Sequence, residues 1–137
     1  MAMMASEWPL AGSQRVLICG DRAWTDRVAV EAVVGQLPLG SVVIVGGAPG
    51  ADTLAEVAAR AIGLPCEVYP ADWGRYGRRA GPIRNRQMLR EGRPDVVLAF
   101  HANLGGSRGT ADMARVARAA GLPVWLVRDR SGCLEGP

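Results

Sequence analysis

The sequence predicts an α/β fold, a single Rossmann-like domain with a five-stranded, mostly parallel sheet and helices on both faces. Three observations predict it. Short runs of Val, Ile and Leu recur five times, stretches of helical period separate them, and glycine-rich turns join strand to helix. A chain of 137 residues is long enough to bury one real core.

The first strand is "RVLICG" at 15–20. A helix follows in which Val30, Val33, Val34 and Leu37 recur at i, i+3, i+4 and i+7. The second strand is "SVVIVGG" at 41–47, and the next helix carries a stripe of Ala51, Leu54, Ala55, Ala58 and Ile62. "PCEVYP" at 65–70 is the third strand. The third helix starts near Gly81, because Pro82 suits a first-turn position. At about 100° per residue, Arg84, Asn85, Met88 and Leu89 share one face, with Arg86 and Arg90 opposite. "DVVLAF" at 95–100 and "PVWLV" at 123–127 are the fourth and fifth strands. Between them, Met113, Val116, Ala117 and Ala120 stripe the last helix. Gly63 and Gly121 each end a helix before an "LP" pair and a strand. Strands apolar on both faces belong to a sheet covered on two sides, and 3-2-1-4-5 is the expected order. Residues 14–128 form the domain in this reading, with 1–13 and 129–137 as flexible tails.

Composition narrows the chemistry. All sixteen cations are arginine, so no lysine nucleophile, Schiff-base lysine or Walker lysine is available. A net charge of +3 permits phosphate contact without demanding it. Cys19, Cys66 and Cys133 are odd in number and far apart, so neither a disulfide framework nor a metal site is expected. That pattern fits a reducing cytoplasm. No apolar run reaches the length of a membrane span, and no membrane partner is expected.

In such a sheet, ligands bind beyond the carboxyl ends of the strands, where helix N-termini converge. The loop "GGAPGAD" has Gly46, Gly47 and Gly50 to let the backbone approach a ligand, with Asp52 to orient polar groups. The alternative to ligand contact is a plain βα turn in which Asp52 caps or complements the helix dipole. The loop from His101 to Thr110 offers Gly106, Ser107, Gly109 and Thr110 as a second phosphate cradle, with Thr110 as a simple N-cap otherwise. Gly20 and Arg22 close the first strand at the same edge. Arg84 and Asn85 are directed inward, either to a ligand or to an internal ion pair between Arg84 and Asp52 or Asp72. Arg75, Arg78 and Arg79, in the loop before that helix, form a lid or rim or are simply solvated. Trp73 lies in a ligand-edge loop, either to stack on a base or simply to pack against the protein. Trp24 is a weaker stacking candidate, and Trp125 and Cys19 read as core. His101 is a lone candidate base without an obvious nucleophile.

"CGDRAWTD", "GGAPGADTLAEVAA", "YPADWGRYGRRAGPIRNRQM" and "FHANLGGSRGTADM" together resemble the YspA-type, cpYpsA-related branch of the SLOG superfamily. The resemblance spans roughly residues 15–127 and implies a Rossmann-like fold that binds a nucleotide or nucleotide-derived ligand. It implies no required cofactor, a homodimer, and a role as sensor or accessory factor. Two relatives supply alternatives. LOG-type phosphoribohydrolases carry an "RKxxM" helix and a "PGGxGTxxE" loop. Here Asn85 stands at the Lys of the first and Met113 at the Glu of the second. If this chain is such an enzyme, Arg84, Asp52 and Asp112 are the residues to carry catalysis. The single-stranded DNA binder DprA has an element loosely similar to "GGAPGADTLAE", and a DNA reading recruits Arg75, Arg78, Arg79, Arg86 and Arg108. Aromatic residues are too few around those arginines for a stacking platform, so a small phosphorylated ligand is the preferred expectation.

Overall fold

The computed structural model describes residues 2–4, 12–101, 108–128 and 133–136. Alternating apolar runs and amphipathic stretches become β1 (Ala2–Met4), β2 (Arg15–Gly20), α1 (Arg27–Val34), β3 (Val42–Val45), α2 (Ala51–Ala61) and β4 (Cys66–Val68). They continue with α3 (Trp73–Tyr76), α4 (Ala80–Gln87), β5 (Val96–Phe100), α5 (Arg108–Ala119), β6 (Val124–Val127) and β7 (Cys133–Glu135). A 3-10 turn at Gly77–Arg79 leads into α4, and a π turn at Met88–Gly92 ends it.

The sheet order is β1-β7-β6-β5-β2-β3-β4. Its parallel heart, β4-β3-β2-β5-β6, is the expected five strands in the expected order. The expected total of five is corrected to seven, because β7 pairs antiparallel with β6 and β1 with β7. These two strands have only three residues each, too short to show a period in sequence, and their pairing is set by the edge they meet.

Alternation along the strands divides the core. Val16, Ile18, Val43, Val45, Leu98 and Phe100 face α1 and α2. Leu17, Cys19, Ile44, Val97 and Ala99 face Met88 of the π turn and Met113, Ala114 and Ala117 of α5. The α1 stripe is buried as the periodicity predicts. Two stripe ends differ: Ile62 is 52% exposed and Ala120 is exposed, because each lies past the last helical turn. Gly63 and Gly121 take φ of +81° and +84°, the left-handed exits that glycine makes easy.

At the amino ends of the strands, Arg15 ties three elements together. Its Nε donates to the Gly92 carbonyl at 2.6 Å, and its Nη2 reaches Glu67 of β4 at 2.6 Å. The opposite, carboxyl edge holds the site. With α1 and α2 on one face and α4 and α5 on the other, the winding reverses between the neighbours β2 and β5. Such a reversal leaves a crevice between the two loops that diverge from it.

Candidate functional site

A cavity of about 700 Å³ occupies this reversal point. Its floor is apolar: Cys19 of β2, Met88 of the π turn and Met113 of α5. Its charge comes from Arg22 after β2, Arg78 and Arg84 beside and within α4, and Arg108 at the start of α5. Gly20, Asp52, Trp73, Asn85, Gly109 and Thr110 also line it, so most residues expected at the site converge there. Asp112 joins them on the wall.

The β3–α2 loop behaves differently. Gly46, Gly47 and Gly50 are not on the cavity wall, where only Ala48 and Asp52 represent this segment. Their missing side chains make room for the protein itself. A Cβ on Gly46 would lie 2.3 Å from Arg84 Nη1, and one on Gly50 would lie 2.3 Å from the Asp21 carbonyl oxygen. The loop's N–H groups are also occupied, since Gly46 and Ala48 donate to Asp52 Oδ2 at 3.0 and 3.3 Å. Asp52 thus fills the place a ligand anion would take at the start of α2. Burial pushes its pKa up to about 6, opposed by the Ala48 hydrogen bond, the Arg84 charge and the Gly46 hydrogen bond.

Arg84 is placed by backbone and amide rather than by a direct ion pair. Its Nη1 donates to the Gly46 carbonyl and its Nε to Asn85 Oδ1 at 3.0 Å. Burial lowers its pKa, the neighbouring Asp52 raises it, and Arg22 lowers it further. The expected alternative partner, Asp72, instead caps α3 by accepting from the Arg75 N–H at 3.1 Å. Asn85 is buried and spans two helices, donating through Nδ2 to the Gly109 carbonyl at 3.3 Å and to Asp112 Oδ2 at 3.0 Å. Asp112 also accepts from Arg115 at 2.9 Å and pairs with Arg86 at 3.4 Å. Burial acts to raise the Asp112 carboxyl, but these donors together hold it below the usual carboxylate range.

Gly106 and Ser107 lie outside the described residues. Thr110 is buried within α5 as described from Arg108, so it stands inside the helix and not at the cap expected of it. Trp24 packs into the core edge-on against Phe100, with ring centroids 5.6 Å apart. His101 is buried, and both its ring nitrogens lack a partner among the described residues. Burial holds its pKa below the ordinary histidine value. The apolar floor and the inward turn of Arg78 and Arg108 were missed in the sequence. Nothing in the run "GRYGRR" shows that a 3-10 turn carries Arg78 back over the pocket while leaving Arg75 and Arg79 outside it. Among the described residues no group of three or more His, Cys, Asp or Glu is placed to hold a metal ion. None of their helices is long and apolar enough to cross a membrane.

A family model described as the YspA, cpYpsA-related SLOG family matches residues 14–76, which include β2, the Asp52 loop and Trp73. The chain is also 42% identical over 120 residues to the Gene 61 protein of Mycobacterium phage D29, covering 81% of this chain and 94% of that protein. The chain belongs to the YspA, cpYpsA-related SLOG family. SLOG membership suggests nucleotide-related ligand binding in general and names no specific function. In this SLOG chain the cavity also draws on α4 and α5, which lie beyond the stretch matched by the family model.

Proposed function

We propose that the chain binds a nucleotide or nucleotide-derived small ligand in the cavity at the carboxyl edge of the sheet, as a sensor or accessory factor. The observation that carries this reading is the convergence of Arg22, Arg78, Arg84 and Arg108 on one apolar-floored cavity. Arg22, Arg78 and Arg108 form no ion pair among the described residues, while Asp52 and Asp112 are engaged by the protein's own donors. An anionic ligand supplies the missing negative charge, and an apolar floor suits a flat ring.

Binding without turnover is supported by the same geometry. Met113, where LOG-type relatives carry a glutamate, is buried on the cavity wall and offers neither charge nor proton. Asp112, its neighbour, is held as an anion by Asn85, Arg115 and Arg86.

Calorimetric titration of the chain with a panel of nucleoside mono-, di- and triphosphates tests the reading. At least one should bind, and Arg84→Ala should weaken it by about tenfold or more. Chromatography of the same mixtures should show no free base. Base release that disappears in Arg84→Ala would establish the phosphoribohydrolase reading in its place, and absence of binding across the panel would reject both.

A further inference from the structure

We propose that Arg22 and Trp73 form an exchangeable pair that selects ligands carrying both a nucleobase and a phosphate. This inference rests on the nucleotide reading above and specifies how that site recognises its ligand. The guanidinium carbon of Arg22 lies 5.5 Å from the centre of the Trp73 ring, and both residues line the cavity. Trp73 is 49% exposed, unlike the buried Trp24 and Trp125. Its far edge is set against Gly81, where an added Cβ would stand 3.4 Å from the outermost ring carbon. The indole therefore rests on the first turn of α4, and the surface that accepts a flat cation is also one on which a base stacks.

Arg22 has reason to leave that ring when an anion arrives. It makes no ion pair among the described residues, and its charge acts on Arg84 across the site. A phosphate between the two guanidinium groups replaces repulsion with two charge-assisted contacts. The Arg22 backbone does not need to move. It is packed against Gly50, whose added Cβ would lie 2.5 Å from the Arg22 carbonyl oxygen, so the exchange is a side-chain motion.

The two halves of the ligand then support each other. A nucleoside must displace Arg22 without offering it a new partner. A sugar phosphate attracts Arg22 but leaves the indole bare. A nucleotide does both, and its affinity exceeds what either fragment achieves alone.

Tryptophan fluorescence and calorimetry on the full chain test this with the four ribonucleoside 5′-monophosphates, their nucleosides, and ribose 5-phosphate. A binding nucleotide should quench the emission, and Trp73→Phe should remove that quench and weaken binding by at least about fivefold. Arg22→Ala should separate the fragments. Nucleotide affinity falls by about tenfold or more, while nucleoside affinity rises by about two- to fivefold because the ring is freed. A nucleotide that binds by calorimetry without changing Trp73 emission overturns the exchange and leaves the nucleotide reading standing. Weakening of nucleotide and nucleoside alike by Arg22→Ala does the same. No binding by any of the nine probes overturns the inference together with monophosphate recognition.

Discussion

Asp52 is the residue on which the site turns, because it is a buried carboxylate doing a ligand's work. An ordinary aspartate has a pKa of 3.8, and burial pushes this one up to about 6. Between those values the folded state holds the proton more tightly than the unfolded chain. The contribution of Asp52 to stability is therefore greatest in acid, falls as pH rises from about 4 to about 6, and stays low above. The full difference is about 3 kcal/mol. Asp52→Asn removes the titration and keeps an oxygen for the Gly46 and Ala48 N–H groups. The variant should thus gain on the wild type by about 2 kcal/mol between pH 4.5 and pH 7.5, read from urea unfolding of both proteins at the two values. A difference independent of pH would show that Asp52 is ionised throughout.

At the scale of elements, the β3–α2 loop and α4 were legible to different depths. Gly46, Gly47, Gly50 and Asp52 mark a glycine-rich turn in any sequence, but the pattern "GGAPGAD" reads the same whether the space is kept for a ligand or for the chain. The structure assigns it to Arg84 and to the Asp21–Arg22 backbone, contacts that join residues distant in sequence and so leave no local trace. The helical phase of α4 was readable because Asn85 lies inward and Arg86 outward as an ordinary helical spacing places them, and the same facing carries on at Met88 and Arg90 of the π turn. The turns on either side were not, since a 3-10 entry and a π exit have no period of their own in three to five residues.

The distinction between glycines can be measured. Gly50 and Gly63 both have positive φ, at +82° and +81°, yet a Cβ on Gly63 would meet nothing within 4 Å. Gly63→Ala should cost about 1 kcal/mol, from backbone strain alone. Gly50→Ala adds a collision with the Asp21 and Arg22 carbonyls and should cost about 3 kcal/mol or more. Urea unfolding of the two variants gives the comparison, and equal losses would refute the close packing of this loop.

For the molecule as a whole, the net charge of +3 is concentrated in consequence rather than in amount. Four arginines face one cavity, whereas the exposed Arg75 and Arg79 lie apart from it. A small ligand there contacts few phosphates, so its affinity should fall by less than about tenfold between 50 and 200 mM salt. A polyanion laid across six or more surface cations would lose about a thousandfold over the same range. Titration at the two salt concentrations separates a pocket ligand from a nucleic-acid strand.

The width of the sheet bears on how copies of this molecule meet in concentrated solution. At one margin stands β4, a strand of three residues whose middle position is Glu67, anchored at 2.6 Å by Arg15. A charge fixed in the middle of so short a strand makes it a poor template for a further strand from another molecule. At the other margin, β7 turns antiparallel and is itself covered by β1. A parallel sheet rich in Val and Ile is a natural seed for edge-to-edge growth, and here that growth is opposed by a fixed charge at one end and by the chain's own two short antiparallel strands at the other.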